Sequence, residues 1–400
     1  MRKPLPLGPV VAFAGLLLCA PLLPAEPDAA VPPVNTLVLL QLAGGNDGLA
    51  TVIPYGDPAY AAIRKTVAPP IADLLTLDNT LALHPALAPL LPAWKAGDFA
   101  IALGVGYPDP NRSHFRSTDI WETASSSHEV LATGWLARLL TPATRPAGTF
   151  ADSLILGETE AGPLKGPGMH NIAMDNLDAF LREAAQMGGI PRGEKGSLAY
   201  IDSVEQDIIS AAAVLAKIKP SVKEPAVPFP DTGLGRQMKT AFQLLAAGLR
   251  VPVVKLTLRG FDLHGGEKPV QERLLGELAG AAAAFRANLI QAGLWDQVMV
   301  MTYSEFGRRV EENASNGTDH GTAAPVLIMG GRVKGGFYGS QPSLAPADLD
   351  QGDMKYTLDF RALYRTVAQD FWGIKDPALL DSVFPTVTQT LPLLTPWPPR

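Results

Sequence analysis

Four short phrases in this chain combine residue types that bind cations. Gly260-Phe261-Asp262-Leu263-His264 and Thr318-Asp319-His320-Gly321 hold two of its six histidines beside acids. Gly44-Gly45-Asn46-Asp47-Gly48 and Ser304-Glu305-Phe306-Gly307-Arg308 supply two further carboxylates. Imidazole and carboxylate groups are ligands for divalent metals. Each phrase alone reads equally well as something plainer. Asp47 in a glycine-rich turn can bond its own backbone. Asp262 and His264 can be a loop acid and a helix cap, Glu305 and Arg308 an ion pair, Asp319-His320 a turn. The metal reading comes from their shared position, because carboxylates gathered at one pocket repel unless cations neutralise them.

That position follows from the elements around them. Continuous apolar runs at 36–42, 99–105, 251–258, 297–303 and 325–329 have the composition of buried parallel strands. Apolar residues at three-to-four spacing predict helices over 205–219, 235–249, 267–292 and 361–372, the third stopped by Gly293. Alternating strands and helices imply an α/β fold: a doubly wound, mainly parallel sheet with helices on both faces. Such sheets bind ligands at the carboxyl ends of their strands. The phrases of Asp47, Asp262–His264 and Glu305–Arg308 follow three of these runs, and Asp319–His320 precedes the last. The domain is expected over 35–390, with the Pro- and Gly-rich stretch 140–235 as an insertion or cap.

Net charge is −6 and charged residues make up 18%, which argues against a broad nucleic-acid-binding face. Residues 1–25 read as a signal peptide: Arg2 and Lys3 precede an apolar run, with Ala25 at a cleavage point and 26–34 a flexible leader. The run is too short and Pro-interrupted to span a membrane comfortably, so no transmembrane span is expected after cleavage. Cys19 raises the alternative of a lipoprotein, against which Leu18 occupies a position that favours small residues. Cleavage near Ala25 leaves no cysteine, hence no disulfide, thiolate site or cysteine nucleophile. The expected destination is the periplasm or cell exterior.

From 251 to 330 the order is strand, Asp-x-His, long helix, strand ending in an acid, and a histidine before a final strand. This resembles the metal-binding core of the alkaline-phosphatase superfamily, which includes sulfatases. More closely, the chain resembles the bacterial family called domain of unknown function 1501, in the phrases already quoted and in Asn111-Arg112-Ser113-His114-Phe115.

The resemblance implies a metal-dependent hydrolase of phosphate or sulfate esters, acting on a small-molecule or envelope anionic ester. It implies one or two divalent ions. Asp262, His264 and His320 would hold zinc; Asp47 and Glu305 would form an oxygen-only site for Mg, Mn or Ca. Ser113, where a helix begins, would be the nucleophile, with Ser117 and Thr118 as alternatives; Ser113 reads equally as an N-cap. Arg112 and Arg308 would clamp the anion, or form surface ion pairs. Two departures stand out. Glu305-Phe306 replaces the superfamily's Asp-His, and Asp262 and His264 are unusually close in sequence. His114 and Asp319 are the candidates to supply missing ligands. A non-catalytic exported scaffold or anion-binding protein is the alternative function.

Overall fold

The first strand, Thr36–Ala43 (β1), shows why this sequence makes a two-faced sheet. Its first seven residues are buried, and alternate side chains enter different cores. Val38, Leu40 and Leu42 join one apolar cluster, Leu37 and Leu39 another. Only a strand covered on both faces can bury both parities. Each such side chain contributes about 1.5–3 kcal/mol of transfer free energy.

The structure, a computed structural model, describes residues 34–187 and 197–396; the side chains of 197–204 lie outside that description. The expected signal peptide and nearly all of the leader, residues 1–33, also lie outside it. Among the described residues nine strands form the main sheet. Besides β1 these are Phe99–Gly106 (β2), Ser153–Leu156 (β3), Asn171–Met174 (β4), Val253–Arg259 (β5) and Val298–Tyr303 (β6). After a small hairpin, Arg308–Glu312 (β7) and Thr318–His320 (β8), come Ala324–Gly330 (β9), Gly336–Tyr338 (β10) and Leu358–Asp359 (β11). The spatial order is β10-β2-β9-β6-β1-β5-β3-β4, with β11 also paired to β2. All pairings are parallel except those of β9, antiparallel to both β2 and β6. The five expected strands are present, and the sheet is α/β and mainly parallel.

Helices cover both faces. Glu267–Gln291 buries Leu274, Leu278 and Phe285 against the first cluster, beside the helix Gly233–Ala246. Phe360–Thr366 and the turn after it pack Phe360, Leu363, Tyr364 and Val367 into the second. Residues 140–235 are more than the insertion or cap expected from their composition. Their strands β3 and β4 extend the sheet beyond β5, their four-residue length hiding them among Pro and Gly. The chemistry-bearing phrases follow the carboxyl ends of β1, β5 and β6, and Asp319–His320 lies in β8 just ahead of the antiparallel β9.

Candidate metal centre and adjoining cavity

The loops after β1 and β5 turn side by side because Gly44 permits it. Its φ is +119°, and a β-carbon there would collide with the backbone of Phe261 and Asp262. Arg308, in β7, then ties these loops together. Its guanidinium donates to the carbonyls of Gly44, Gly45, Phe261 and Thr318, and to Asp262 Oδ1 at 2.8 Å. The β7–β8 pairing sets Arg308 opposite His320.

Around the Asp262 carboxylate stand three imidazoles. His264 Nε2 lies 3.0 Å and His320 Nε2 3.1 Å from Oδ1, and His114 Nε2 lies 3.4 Å from Oδ2. His114 opens the helix His114–Thr123, which follows β2. Each ring is held from behind through Nδ1, His114 by Glu305 Oε1 (2.8 Å), His264 by Asp319 Oδ1 (2.9 Å) and His320 by the Arg112 carbonyl (2.8 Å). Phe306 packs beside His114 and His320, ring centroids 4.9 and 4.5 Å away.

The hydrogen-bond pattern assigns the tautomers. All three Nδ1 partners are oxygen acceptors, so Nδ1 donates, and Nε2 is the atom each ring turns towards the cluster. Three Nε2 atoms then converge on the Asp262 carboxylate, and two of them, on His264 and His320, face each other at 3.0 Å. Nitrogens this close need a proton or a cation between them, and a shared divalent cation would make all three rings ligands. His114, Asp262 and His320 each offer a ligand atom, all within 4.8 Å of one another. Tetrahedral zinc with bonds near 2.0–2.1 Å places its donors about 3.3 Å apart, close to these separations. The backing of imidazole by carboxylate or carbonyl is the usual support of zinc-bound histidine.

The electrostatics agree. Burial opposes ionisation of Asp262, but hydrogen bonds from Arg308 and His320 and the Arg308 charge hold it down at about 2. Asp319 is lowered by its bonds from His264 and Asn313.

Several expected roles change. Asp47 does not join the cluster. It is buried, caps the helix Gly48–Thr51 through Leu49 N–H and Ala50 N–H, and pairs with buried Arg64. Burial opposes its ionisation, but Arg64 more than offsets this, and neighbouring Glu267 carries the proton of the pair. Glu305 is not half of an oxygen-only site either, because Oε1 is spent on His114 and on Gly44 N–H. The expected Mg, Mn or Ca site between these two acids is therefore absent among the described residues. Arg308 is no anion clamp, since its side chain is fully buried and donates to carbonyls and Asp262. Arg112 pairs with buried Asp353.

Ser113 occupies the N-cap position but makes no capping bond, leaving its hydroxyl exposed beside His114. Ser117 is buried against Tyr107 and the Asn111 carbonyl and is out of reach as a nucleophile. Of the other histidines, His84 caps a turn at Ala86, His128 meets Asp109 and His170 faces Asp207. Sequence reasoning placed His114 only as a substitute ligand and missed its backing by Glu305. A signal was there, for His114 too follows the carboxyl end of an apolar run. Arg64, Glu267, Glu122 and Lys255 had none, lying outside the quoted phrases in or beside helical or apolar stretches.

Beside the cluster opens a cavity of about 750 Å³, with His114, Asp262 and Glu305 in its wall. It also reaches Thr118 and Glu122 on the His114 helix, and Lys255 on β5. No helix among the described residues is long and apolar enough to cross a membrane.

Residues 205–384 match the family model described as "Protein of unknown function (DUF1501)". No curated protein matches the chain. Among solved structures, it is similar to the lipoteichoic acid synthase LtaP from Listeria monocytogenes, with 10% identity and TM-score 0.38 over 86% of this chain and 73% of that one. The C-terminal periplasmic domain of EcEptC from Escherichia coli, in a complex with Zn, gives 11% and 0.35 over 86% and 87%. PsFucS1 sulfatase from Pseudoalteromonas sp. gives 12% and 0.38 over 86% and 68%. Likeness this distant says nothing of what the present chain binds or acts on.

Proposed function

We propose that this chain, which over residues 205–384 belongs to the DUF1501 family, is an exported zinc-dependent hydrolase of phosphate or sulfate esters. The observation that carries the reading is the convergence of three imidazole Nε2 atoms on the Asp262 carboxylate, each ring fixed from behind. His114, His264, His320 and Asp262 would hold the ion. Bound there, zinc supplies a Lewis acid beside an ester oxygen.

The remaining chemistry belongs to the protein. Ser113 Oγ, exposed and uncommitted at the helix start, forms the bond to phosphorus or sulfur while the ester's alcohol oxygen departs and takes up the proton that Ser113 releases. Water then releases the inorganic group from Ser113. The first-turn N–H groups of His114–Thr123, which lack a side-chain cap, stabilise negative charge as it develops at that end. Glu305 and Asp319 keep two rings in the Nδ1–H tautomer, and Arg308 holds Asp262 ionised. Export rests on the basic start and apolar run of residues 1–25.

A second reading is a non-catalytic, metal-stabilised anion-binding protein. It is favoured by Glu305-Phe306 standing where the superfamily pattern places Asp-His. One set of measurements separates the two. Metal content of the mature protein is compared with that of His264→Ala and Asp262→Ala, followed by a screen of phosphate and sulfate esters with Ser113→Ala as control. About one equivalent of zinc, lost in the variants, with turnover absent in Ser113→Ala, supports the hydrolase. Zinc without turnover leaves the binding protein, and a wild type that takes up no metal sinks both.

A further inference from the structure

The cavity beside the metal cluster is far larger than a phosphate or sulfate requires, and its charges are unevenly spent. His114, Thr118 and Glu122 recur at four-residue spacing on one helix and all line it. Eight residues of helix carry the wall about 12 Å away from the cluster. At that far end Lys255, 1% exposed on a central strand, gives its ammonium to Glu158 and to the Glu160 carbonyl at 3.0 Å. Arg259 takes the other oxygen of Glu158 at 2.7 Å. Asp119 is taken by Arg116. Glu160 and Lys165 stand on the exposed rim with opposite charges.

Glu122 is left over. Its Oε1 meets the Tyr303 hydroxyl at 3.3 Å, and no ion pair reaches it among the described residues. A second acceptor in the same cavity also lacks a donor: Glu305, 3% exposed, has a buried Oε2 with no hydrogen-bond partner. A carboxyl in the cavity wall with one long hydrogen bond and no ion pair, beside interior cations already paired, suits a donor-bearing, positively charged occupant.

We propose that the Glu122 end of this cavity is a subsite for a primary ammonium group carried by the alcohol portion of the ester, about two helical turns from the anionic group. This rests on the reading of the histidine cluster as the metal centre that holds the anion. The titration of Glu122 is consistent. Burial pushes its carboxyl up to about 7, opposed chiefly by Lys255, with Tyr303, Glu158 and Asp119 also facing it. An ammonium ligand stabilises the ionised form, so its binding strengthens as pH rises from about 6 to 8.

Calorimetry on the zinc-loaded mature protein tests this with ω-aminoalkylphosphonates against alkylphosphonates of equal length. The aminated probe is expected to bind about tenfold tighter, more so at pH 8 than at pH 6, with the preference greatest when the chain spans about 12 Å. Glu122→Gln is expected to bring the ratio close to one, its folding checked by circular dichroism and Tm. Equal affinities in the wild type overturn the proposal, and that comparison stands even if the variant does not fold. A preference that survives in folded Glu122→Gln, tighter binding of a polyhydroxylated phosphonate, or no binding of either probe also overturns it. Phosphonate binding that zinc removal leaves unchanged instead sinks the metal-centre reading, while an intact amine preference keeps the subsite.

Discussion

Two carboxylates that look alike in the sequence, Asp47 and Glu305, are predicted to fail in opposite ways when neutralised. Glu305→Gln keeps an acceptor for His114 Nδ1–H and Gly44 N–H but removes the charge behind the ring. A bond to a charged acceptor exceeds a neutral one by roughly 1–1.5 kcal/mol, and lost support of this kind weakens metal binding about 10–100-fold. Zinc affinity is therefore expected to fall about tenfold, with Tm of the zinc-free protein little changed. Asp47→Asn leaves the buried Arg64 guanidinium facing a neutral partner. Breaking such a pair costs about 3–5 kcal/mol. The shape of Asn retained, the lower figure applies, a fall in Tm of roughly 4 °C for a chain of this length. Zinc affinity of the folded Asp47→Asn protein is expected to match wild type. The assay is competition with a chromophoric chelator beside a thermal melt of the zinc-free protein. The reasoning is refuted if Asp47→Asn loses zinc while folded, or if Glu305→Gln binds zinc as tightly as wild type.

Ser113→Ala is expected to abolish ester turnover while zinc content and Tm stay at wild-type values, because the hydroxyl makes no capping bond; a large fall in Tm would assign Ser113 a structural role. Chelation of zinc is expected to lower Tm, by an amount that grows with the ratio of free zinc to Kd, as scanning calorimetry would read; identical melts would count against the centre. Burial and the Asp47 charge push the Glu267 carboxyl up to about 9. A raised carboxyl is fully stabilising below its unfolded value and loses that stability as pH climbs towards the folded one. Stability should accordingly decline between about pH 5 and 9, and Glu267→Gln should flatten that decline in Tm measured against pH; an unchanged slope would show that another group governs it.

The strands were legible because burial on both faces forces continuous apolar runs, and β1 is apolar or uncharged throughout. Strands β3 and β4 were hidden, since four residues amid prolines and glycines carry no period. His264, His320 and Asp262 were legible as candidates because parallel strands deliver the residues after them to one edge. Direction was not. The turn at Gly44–Gly45 sends Asp47 down to Arg64, and the β7–β8 hairpin folds Arg308 inward while bringing His320 to Asp262. His114 reaches the cluster from the start of a helix some 150 residues upstream of Asp262. Residue types and their order along the chain thus determined the sheet, its edge and the kind of chemistry on offer. Which carboxylate meets an imidazole and which an arginine was decided by tertiary structure, because it depends on where each side chain points once distant loops pack together.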